Sequence, residues 1–269
     1  MRYMITDEIW TVMGPLVEAH TSPHGPTPKL SERMFFEALL YIARTGVPWR
    51  DLPGDFGEWS AVYNRFRRWV ESDRFKNLFR AMTITPGCGG LDRVFADSTI
   101  VRAHQHSAGA PKKKARAEGG EAIGRSRGGM TTKIMVLATD EDSAVVVSLE
   151  PGQANDCPLL MPALEEAREL VGDIDEVVGD EAFDSDKNRF GCLDNDTAPI
   201  IPNKKNRIDP WPFDEDERAT YKGRNCIERL FAKAKQFRRF ATRYEKRKSM
   251  FMAVVQLVFG FIRMRKIAT

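Results

Sequence analysis

The sequence predicts a mixed α/β protein: a small all-α region followed by a mixed sheet with flanking helices. Apolar residues recur at helical spacing over the first third of the chain. Further on, short runs rich in Val and Ile alternate with helical stretches, as strands and helices of one domain do. The turn sequence TPGCGG lies between the two patterns. We therefore expect a helical domain over residues 1–85 and an α/β domain over residues 86–269.

Capping residues mark helix ends in the N-terminal region. Thr6 and Ser31 are placed to cap two helices, and Gly46 to end the second. The later stretch EWSAVYNRFRRWVESDRFKNLFRAM is amphipathic and has a basic face. This organisation is typical of helix-turn-helix DNA readers, and it gives three candidate DNA contacts, Arg65, Arg67 and Arg68. The alternative is an all-α packing module whose aromatic residues form the core.

The second region predicts the element order β-β-β-α-β-α-β-α. LDRVFADSTIVRA is a strand, and TTKIMVLATD and SAVVVSLEPG form a hairpin. CPLLMPALEEARELVG is a helix, IDEVVGDEAF a strand that ends in acidic residues, SDKNRFGCLDN a helix and TAPIIPN a strand. The Gly- and Lys/Arg-rich residues 112–129 predict a loop. A final helix, about residues 249–266, is predicted to be apolar on one side.

Positive charge is concentrated at the end of a chain whose net charge is only +3. Residues 218–269 contain 15 Lys and Arg residues and two acidic residues, so the preceding part is net acidic. A basic block of this size indicates a polyanionic partner, most simply nucleic acid, with a solvated basic helix as the alternative. We interpret YKGRNCIERLFAKAKQFRRFATRYEK, from Tyr221 to Lys246, as one basic helix.

Composition argues against several other classes of protein. The four cysteines form no CxxC pair, which argues against a cysteine zinc site. The start MRYMITDEIW has no apolar segment of the kind that secretion signals carry. The longest apolar run, MAVVQLVFGFI, is too short to span a bilayer. We expect a soluble intracellular protein with no membrane partner.

Three acidic residues stand where a nucleic-acid enzyme needs carboxylates. Asp97 lies in the apolar strand VFADSTI, where an acid is costly without a partner, and Asp180 ends the strand EVVGD. Glu228 lies one helical turn from Arg224 on the basic stretch. Enzymes that cut or join phosphodiesters hold two divalent ions, roughly 3.5–4 Å apart, with such carboxylates. We predict that the three acids bind two Mg²⁺ ions, which Mn²⁺ can replace.

This order of elements, with acids on the first strand, the fourth strand and the last helix, is that of the ribonuclease-H-like fold. The chain resembles bacterial insertion-sequence transposases of the DDE class. Tyr221, Arg224, Glu228 and Lys235 have the spacing of the Tyr-Arg-Glu-Lys signature of that superfamily. FADSTIVRAHQHSAGA, GRSRGGMTTKIMVLATD, PGQANDCPLL and VVGDEAFDS are similar to its blocks, and GVPWRDLP resembles its N-terminal segment. The resemblance covers nearly the whole chain.

The resemblance implies specific roles. The three acids match the catalytic triad of the family, and Tyr221, Arg224 and Lys235 match residues that contact DNA beside the metals. The implied activity is that of an endonuclease and strand-transfer enzyme of DNA recombination, which cuts element ends and joins the 3′-OH to target DNA. The implied partners are double-stranded DNA, as terminal inverted repeats and as target, and further copies of the chain in a homodimer or larger assembly. A cytoplasmic, nucleoid-associated location follows.

At the second acid of the triad, Asp180, the following residues depart from the family pattern, and a second acid is a candidate for the same role. Relatives usually carry a basic residue and then a tyrosine after this aspartate, whereas here Glu181, Ala182 and Phe183 follow. We expect little effect, because Glu181 points away from Asp180 if the strand continues. Asp184 is the rival for the same role, although it opens a polar helix and is well placed as its N-cap.

Other predictions concern DNA contacts with open alternatives. Candidate contacts beyond the signature are Arg238, Arg239, Arg243, Lys112, Lys113 and Trp211. The lysine run is either a DNA arm or a solvated loop, and Trp211 either stacks on a base or packs its own loop. His104 and His106 share a strand face and are interpreted as DNA or phosphate contacts, with zinc as the alternative. The rival functions are a structure-specific nuclease and a non-catalytic DNA-binding protein.

Overall fold

The structure is a computed structural model, and it describes residues 3–21, 29–87, 92–109 and 120–269. The chain folds into two compact units. The first unit comprises residues 1–87, 102–121 and 233–269, and the second comprises residues 88–101 and 122–232. Both units are discontinuous in sequence, because segments that are distant along the chain pack together within each. The division into two continuous domains, residues 1–85 and 86–269, remains a prediction.

The elements follow one another in chain order. The helices are α1 (Asp7–Ala19), α2 (Glu32–Thr45), α3 (Trp59–Glu71), α4 (Arg74–Ile84), α5 (Leu160–Val171), α6 (Asp186–Leu193), α7 (Glu215–Lys222), α8 (Asn225–Lys235), α9 (Arg238–Ala241) and α10 (Lys248–Ile267). The strands are β1 (Arg93–Ala103), β2 (Gly124–Ser126), β3 (Gly129–Ala138), β4 (Ala144–Pro151), β5 (Glu176–Gly179), β6 (Ala198–Ile200) and β7 (Thr242–Arg243).

Local capping fixes the ends of α1 and α2 as the sequence predicts. The Thr6 hydroxyl accepts a hydrogen bond from the N–H of Ile9, and Ser31 accepts one from Met34. Gly46 ends α2 in the left-handed conformation, with φ of 73°, which glycine adopts without a steric cost. The two predicted N-caps and the end of α2 at Gly46 are confirmed, whereas α1 runs to Ala19 and not to the predicted Leu16.

The core of the first unit is built around α10. This helix packs against α1, α2, α3 and α4, and nearly every residue from Met250 to Met264 is buried. The prediction that α10 is apolar on one side only is therefore wrong. Phe66 and Trp69, which alternate with the arginines of α3, are buried in this unit. Among the described residues, no helix has both the length and the apolar composition that crossing a membrane requires.

The second unit contains a mixed sheet. Apart from the short strands β2 and β7, its strands lie in the order β4-β3-β1-β5-β6. β3 and β4 are antiparallel, whereas β1, β5 and β6 are parallel, and α5 packs on β3 and β4. The predicted mixed sheet with flanking helices, in the ribonuclease-H-like order, is confirmed. The predicted loop over residues 112–129 is wrong in part, because the short strand β2 pairs there with β3.

The stretch from Tyr221 to Lys246 is not one helix, and the prediction of a continuous basic helix is wrong. α7 ends at Lys222, α8 begins at Asn225, and the chain forms α9 and β7 after α8. Gly223 lies in the break, where a Cβ atom would stand 3.0 Å from the carbonyl oxygen of Thr220. Arg224 is thus in the turn between two helices and not on a helix face.

Candidate active site

Two acidic side chains meet because of strand register. β1 and β5 run parallel, with Ala96 opposite Gly179 as the last registered pair. Asp97 follows Ala96 on β1, and Asp180 directly follows the last residue of β5. Neighbouring parallel strands lie about 4.8 Å apart, so the register alone brings these two carboxylates to the same place on the sheet.

Backbone N–H groups orient both carboxylates. Oδ1 of Asp97 accepts a hydrogen bond from the N–H of Ser98 at 2.8 Å. The corresponding oxygen of Asp180 accepts from the N–H of Ala182 at 2.9 Å, where Asp180 caps a short 3₁₀ helix over residues 181–183. The strand therefore does not continue past Gly179, so the expected placement of Glu181 on an opposite strand face is wrong. In each carboxylate the second oxygen, Oδ2, is left to face the site.

The guanidinium of Arg224 lies where three acids converge. Its Nη2 is 2.9 Å from Oδ2 of Asp97 and 3.8 Å from Oδ2 of Asp180. Its Nη1 is 3.2 Å from Oε1 of Glu228, on the first turn of α8. The structure thus brings together the three acids that the sequence predicts, around one cation that the sequence assigned to DNA.

Burial changes the electrostatics of this cluster. The pKa of Asp97 is raised, chiefly because burial disfavours its charged form, while Arg224 and the N–H of Ser98 oppose the shift. Burial lowers the pKa of Arg224, but Asp97 and the other acids outweigh it, and the net pKa is raised. The pKa of Tyr221 is also raised, first by burial. The cluster therefore pairs a buried acid with a cation that stays charged.

Two family models match the chain. Residues 89–259 match the family described as "Transposase DDE domain". The chain belongs to the DDE transposases. Residues 5–79 match a second model, described as "Putative transposase of IS4/5 family".

Individual relatives of this transposase are insertion-sequence proteins. A putative transposase for insertion sequence element IS6501 of Brucella ovis is 32% identical over 141 residues, which are 51% of this chain and all of that relative. A 16.2 kDa protein of insertion element IS402 from Burkholderia cepacia is 31% identical over 37% of this chain and 74% of its own. A solved Mos1 transposase complex covers 82% of this chain and 79% of its own at 11% identity, with a TM-score of 0.28, too low to support an argument.

DDE transposase domains generally use divalent metal ions. Within the described ranges, no three His, Cys, Asp or Glu side chains lie close enough together to hold a metal ion as they stand. The donor chemistry nevertheless fits, because the three acids offer carboxylate oxygens, which hard divalent cations prefer. They also already surround a cationic group, the Arg224 guanidinium.

The rival acid Asp184 has a different role in the transposase. Its side chain is 1% exposed and is paired with Arg189 and Arg207. It does not cap α6, because Ser185 accepts the capping hydrogen bond instead. The expected N-cap role of Asp184 is therefore wrong. Its interactions turn it away from the Arg224 cluster and toward the loop before α7.

The three arginines predicted on α3 differ in exposure. Arg65 is buried: its guanidinium pairs with Glu32, donates to the carbonyl oxygen of Leu30 at 2.9 Å, and lies over the ring of Phe35. This side chain holds α3 to its neighbours and is not offered to a ligand. Arg67 and Arg68 are exposed, so they remain candidate DNA contacts.

The basic residues after α8 also divide into exposed and buried. Arg238 and Lys235 are exposed. Arg239 is buried against Glu245 at 2.5 Å. Arg243 is fully buried, and its guanidinium donates to the carbonyl oxygens of Glu245, Glu121 and Lys246. Arg239 and Arg243 therefore organise the first unit and are not available as DNA contacts in this structure.

The remaining predicted contacts are Trp211, Lys112 and Lys113. Trp211 packs its loop onto α6, with its ring 5.3 Å from that of Phe190, and its backbone is hydrogen-bonded to Asn203 within the loop. The two lysines lie outside the described residues. His104 stacks on Tyr244 at 4.9 Å and lies 4.5 Å from the ring of His106.

Sequence reasoning missed one group of residues near β6. Lys204 and Arg207 hold the loop before α7 through Asp184. A signal is present, because the basic run KKNR at residues 204–207 follows the stretch DEAFD, which ends in Asp184. It is easily overlooked, because Asp184 also fits the role of a metal ligand, as Asp180 does.

Proposed function

We propose that this transposase cuts the phosphodiester bond at each end of its element and joins the freed 3′-OH to target DNA. One observation carries the proposal: acids from β1, from the end of β5 and from α8 converge on a single cation. Metal-assisted cleavage and strand transfer need such a set of carboxylates on rigid elements. Family membership supports transposition in general, and the cluster supports this chemistry.

The carboxylates of Asp97, Asp180 and Glu228 would hold the divalent ions, Mg²⁺ or Mn²⁺. When bound, such ions activate the attacking oxygen and neutralise charge on the phosphate. Ser98 and Ala182 fix the two aspartates through their N–H groups, so the liganding oxygens are preorganised. Glu228 is 60% exposed, so its side chain is free to adjust as DNA and metal enter.

Arg224 would then engage the DNA strand. Its planar guanidinium can hold two phosphate oxygens at once, which positions the phosphate as well as attracting it. Tyr221, two residues before the α7–α8 break, would contact the same strand, and Lys235 would add a point charge on a phosphate. The exposed Arg67, Arg68 and Arg238 are proposed to bind the terminal inverted repeats or the target duplex.

Partners and location follow from this chemistry. Two element ends must be held together for joining, so a homodimer or larger assembly on DNA is proposed. The Mos1 structures that align with this chain are described as a paired-end complex and a pre-cleavage transpososome, which concerns that protein only. Action on chromosomal DNA would place the transposase in the bacterial cytoplasm, at the nucleoid.

The test is a nicking and joining assay with the element-end duplex and Mg²⁺. Asp97→Asn, Asp180→Asn and Glu228→Gln should each abolish cleavage and leave DNA binding largely intact. The matched control is Glu181→Gln, an exposed carboxylate next to Asp180, which should cut at the wild-type rate. Normal cleavage by any of the three triad variants would contradict the assignment.

The same assay separates the rival functions. A structure-specific nuclease would cut the duplex but would not join the 3′ end to a second DNA. A non-catalytic DNA-binding protein would bind the duplex without any metal-dependent nick. Joined products from wild-type protein, lost in the Asp97→Asn variant, would therefore support transposition over both.

A further inference from the structure

The loop over residues 202–212, between β6 and α7, carries a fully exposed apolar side chain at its tip. Ile208 is 100% exposed. Burying an isoleucine side chain is worth about 2 kcal/mol, so leaving it fully in water gives up a stabilising contact. Neither the acid cluster nor the fold explains this arrangement.

The loop is anchored at its base by the buried carboxylate of Asp184. Oδ1 of Asp184 accepts from Nε of Arg189 at 2.9 Å and from Nη1 of Arg207 at 2.8 Å. Oδ2 accepts from the backbone N–H of Lys204 at 2.9 Å, and the Lys204 ammonium donates to the Asp184 carbonyl oxygen. One acid therefore ties the first arm of the loop, at Lys204 and Arg207, to the segment after β5.

Further contacts close the neck of the loop. Nδ2 of Asn203 donates to the carbonyl oxygen of Trp211 at 2.7 Å, and the N–H of Trp211 donates back to Asn203 at 3.0 Å. The guanidinium of Arg189 lies 5.3 Å from the Trp211 ring centre. Loops with this density of buried polar contacts are held in one conformation.

The residues beside the tip are also fixed. Nε of Arg207 donates to the carbonyl oxygen of Asp209 at 2.7 Å, across Ile208, and Nη2 of Arg207 pairs with Asp186. Ile208 is thus presented on a braced turn. Bracing removes most of the ordering cost that a flexible loop would pay on binding.

The chemistry around the tip fits nucleic acid. Lys205 and Asn206 are exposed immediately before the braced arginine, so a cation and a hydrogen-bonding side chain stand beside the isolated apolar one. Proteins that bend or open a duplex insert isoleucine, leucine or similar side chains between base steps, while basic side chains hold the phosphates. A lone isoleucine on a narrow turn offers far less area than a stable protein interface buries, about 800 Å² on each partner.

The geometry points to Ile208 as a wedge that enters the base stack of bound DNA, with Lys205 on a neighbouring phosphate. The inference rests on the proposed function, because it takes element-end or target DNA as the ligand. Opening a base step would bend the duplex and make the phosphodiester accessible to the acid cluster. No bond is made or broken by the wedge itself.

The test uses full-length protein and element-end duplexes that carry 2-aminopurine, a base whose fluorescence rises when it unstacks, at one position at a time. Wild-type protein should raise the fluorescence at one or two adjacent positions. Ile208→Ala should abolish that rise and weaken binding about tenfold. Lys205→Gln should keep the fluorescence rise and lower the log–log salt slope of binding by about one unit.

The matched control is Leu193→Ala, which shortens another exposed apolar side chain of the same unit, 46% exposed on α6. It should leave fluorescence and affinity unchanged. Ile208→Ala should keep the wild-type melting temperature, since the side chain contacts no core.

Two results would overturn the wedge alone. One is a fluorescence rise with Ile208→Ala equal to that of wild type, in a preparation that cuts and joins DNA normally; the proposed function would then stand alone. The other is a change in oligomeric state of DNA-free Ile208→Ala by sedimentation, which would make the tip a protein contact. Wild-type protein that neither binds nor cuts the duplex would overturn the wedge and the proposed function together.

Discussion

The guanidinium of Arg224 lies close to three carboxylates, yet one of its N–H groups makes no hydrogen bond within the part of the chain that the structure describes. Its buried Nε has no hydrogen-bond partner among the described residues, and an unpaired buried donor costs about 1–3 kcal/mol. Arg224 also sits in the break between α7 and α8 and not within a helix. It is therefore a cation that the site can release. If the acids hold divalent ions as proposed, the metal would have to displace this guanidinium from the same oxygens.

Arg224→Gln should increase the affinity for Mn²⁺ in the absence of DNA, on the order of tenfold, because the metal no longer competes with a resident cation. The metal-free variant should also melt at a lower temperature, since three acids then face one another without a counter-charge. Electron paramagnetic resonance of free Mn²⁺ and thermal unfolding measure the two effects.

Arg229→Gln is the matched control for Arg224→Gln. Arg229 lies on α8, half exposed, and pairs with Glu141 and not with the acid cluster. Its replacement should leave Mn²⁺ affinity unchanged. Equal affinities of wild type and Arg224→Gln would mean that the guanidinium does not stand in the path of the metal.

Residue identity in the site was predictable where the signal is local, and was not where it depends on distant partners. Asp97 and Asp180 could be chosen because the first is an acid within an apolar strand and the second directly follows a strand, and both lie beside Arg224 in the structure. Arg243 could not be separated from exposed arginines, because one of its partners, the carbonyl oxygen of Glu121, is 122 residues away. Arg65 could not be recognised as buried for the same reason, since Glu32 neutralises it.

At the scale of elements, the caps of α1 and α2 are predictable from the sequence, whereas the cap of α6, which is Ser185 and not Asp184, and the break at Gly223 are not. Thr6, Ser31 and Gly46 act through their own first or last turn, so sequence alone locates them. At Gly223, in the break, a side chain would crowd its neighbours, because a Cβ atom would stand 3.4 Å from the ring of Phe95 on β1. The need for glycine there therefore depends on a strand that is distant in sequence. A glycine within a basic amphipathic stretch therefore does not predict a helix break unless the position of the neighbouring strand is also known.

The loop over residues 202–212 should depend on Asp184 for its stability. Burial raises the pKa of Asp184, but the Lys204 N–H and the guanidiniums of Arg189 and Arg207 outweigh it, and the net pKa is lowered. Asp184→Asn should therefore destabilise the protein by about 3 kcal/mol at pH 7, because two arginines lose their buried partner. Denaturant unfolding measures the loss. Asp186→Asn, at a 65% exposed acid, should cost under about 0.5 kcal/mol.

The pH dependence of this difference has a definite sign. A carboxylate whose folded pKa lies below its unfolded value stabilises the fold at pH values above the unfolded pKa. That contribution is lost as the pH falls through the folded pKa of Asp184, which lies below the ordinary value of 3.8. The gap between wild type and Asp184→Asn should therefore be constant near neutrality and shrink only in strong acid. A gap that shrinks between pH 8 and pH 6 would contradict this origin.

At the scale of the whole molecule, the sequence order of regions differs from the way they pack. Residues 233–269 belong to the same compact unit as residues 1–87. Nε and Nη2 of Arg263, on α10, donate to the carbonyl oxygens of Met82 and Thr85 at 2.7 and 2.9 Å. Nη2 of Arg239 donates to the carbonyl oxygen of Val47. A composition change at TPGCGG could mark a sequence boundary, but no local pattern reveals that the last helix returns to the first four.

An isolated fragment of residues 1–87 should consequently fail to fold cooperatively. Without α10 it would expose the apolar faces of α1 to α4 and leave the carbonyl groups at the end of α4 without their arginine donor. Circular dichroism should show partial helix and a broad, non-cooperative melt. Adding a peptide of residues 233–269 should restore a sharp transition, whereas the same peptide with Val255→Asp, at a fully buried position, should not. A sharp melt of the fragment alone would mean that the N-terminal helices form a domain by themselves, and DNA binding by that region could then be measured on the fragment; otherwise it has to be measured on the full chain.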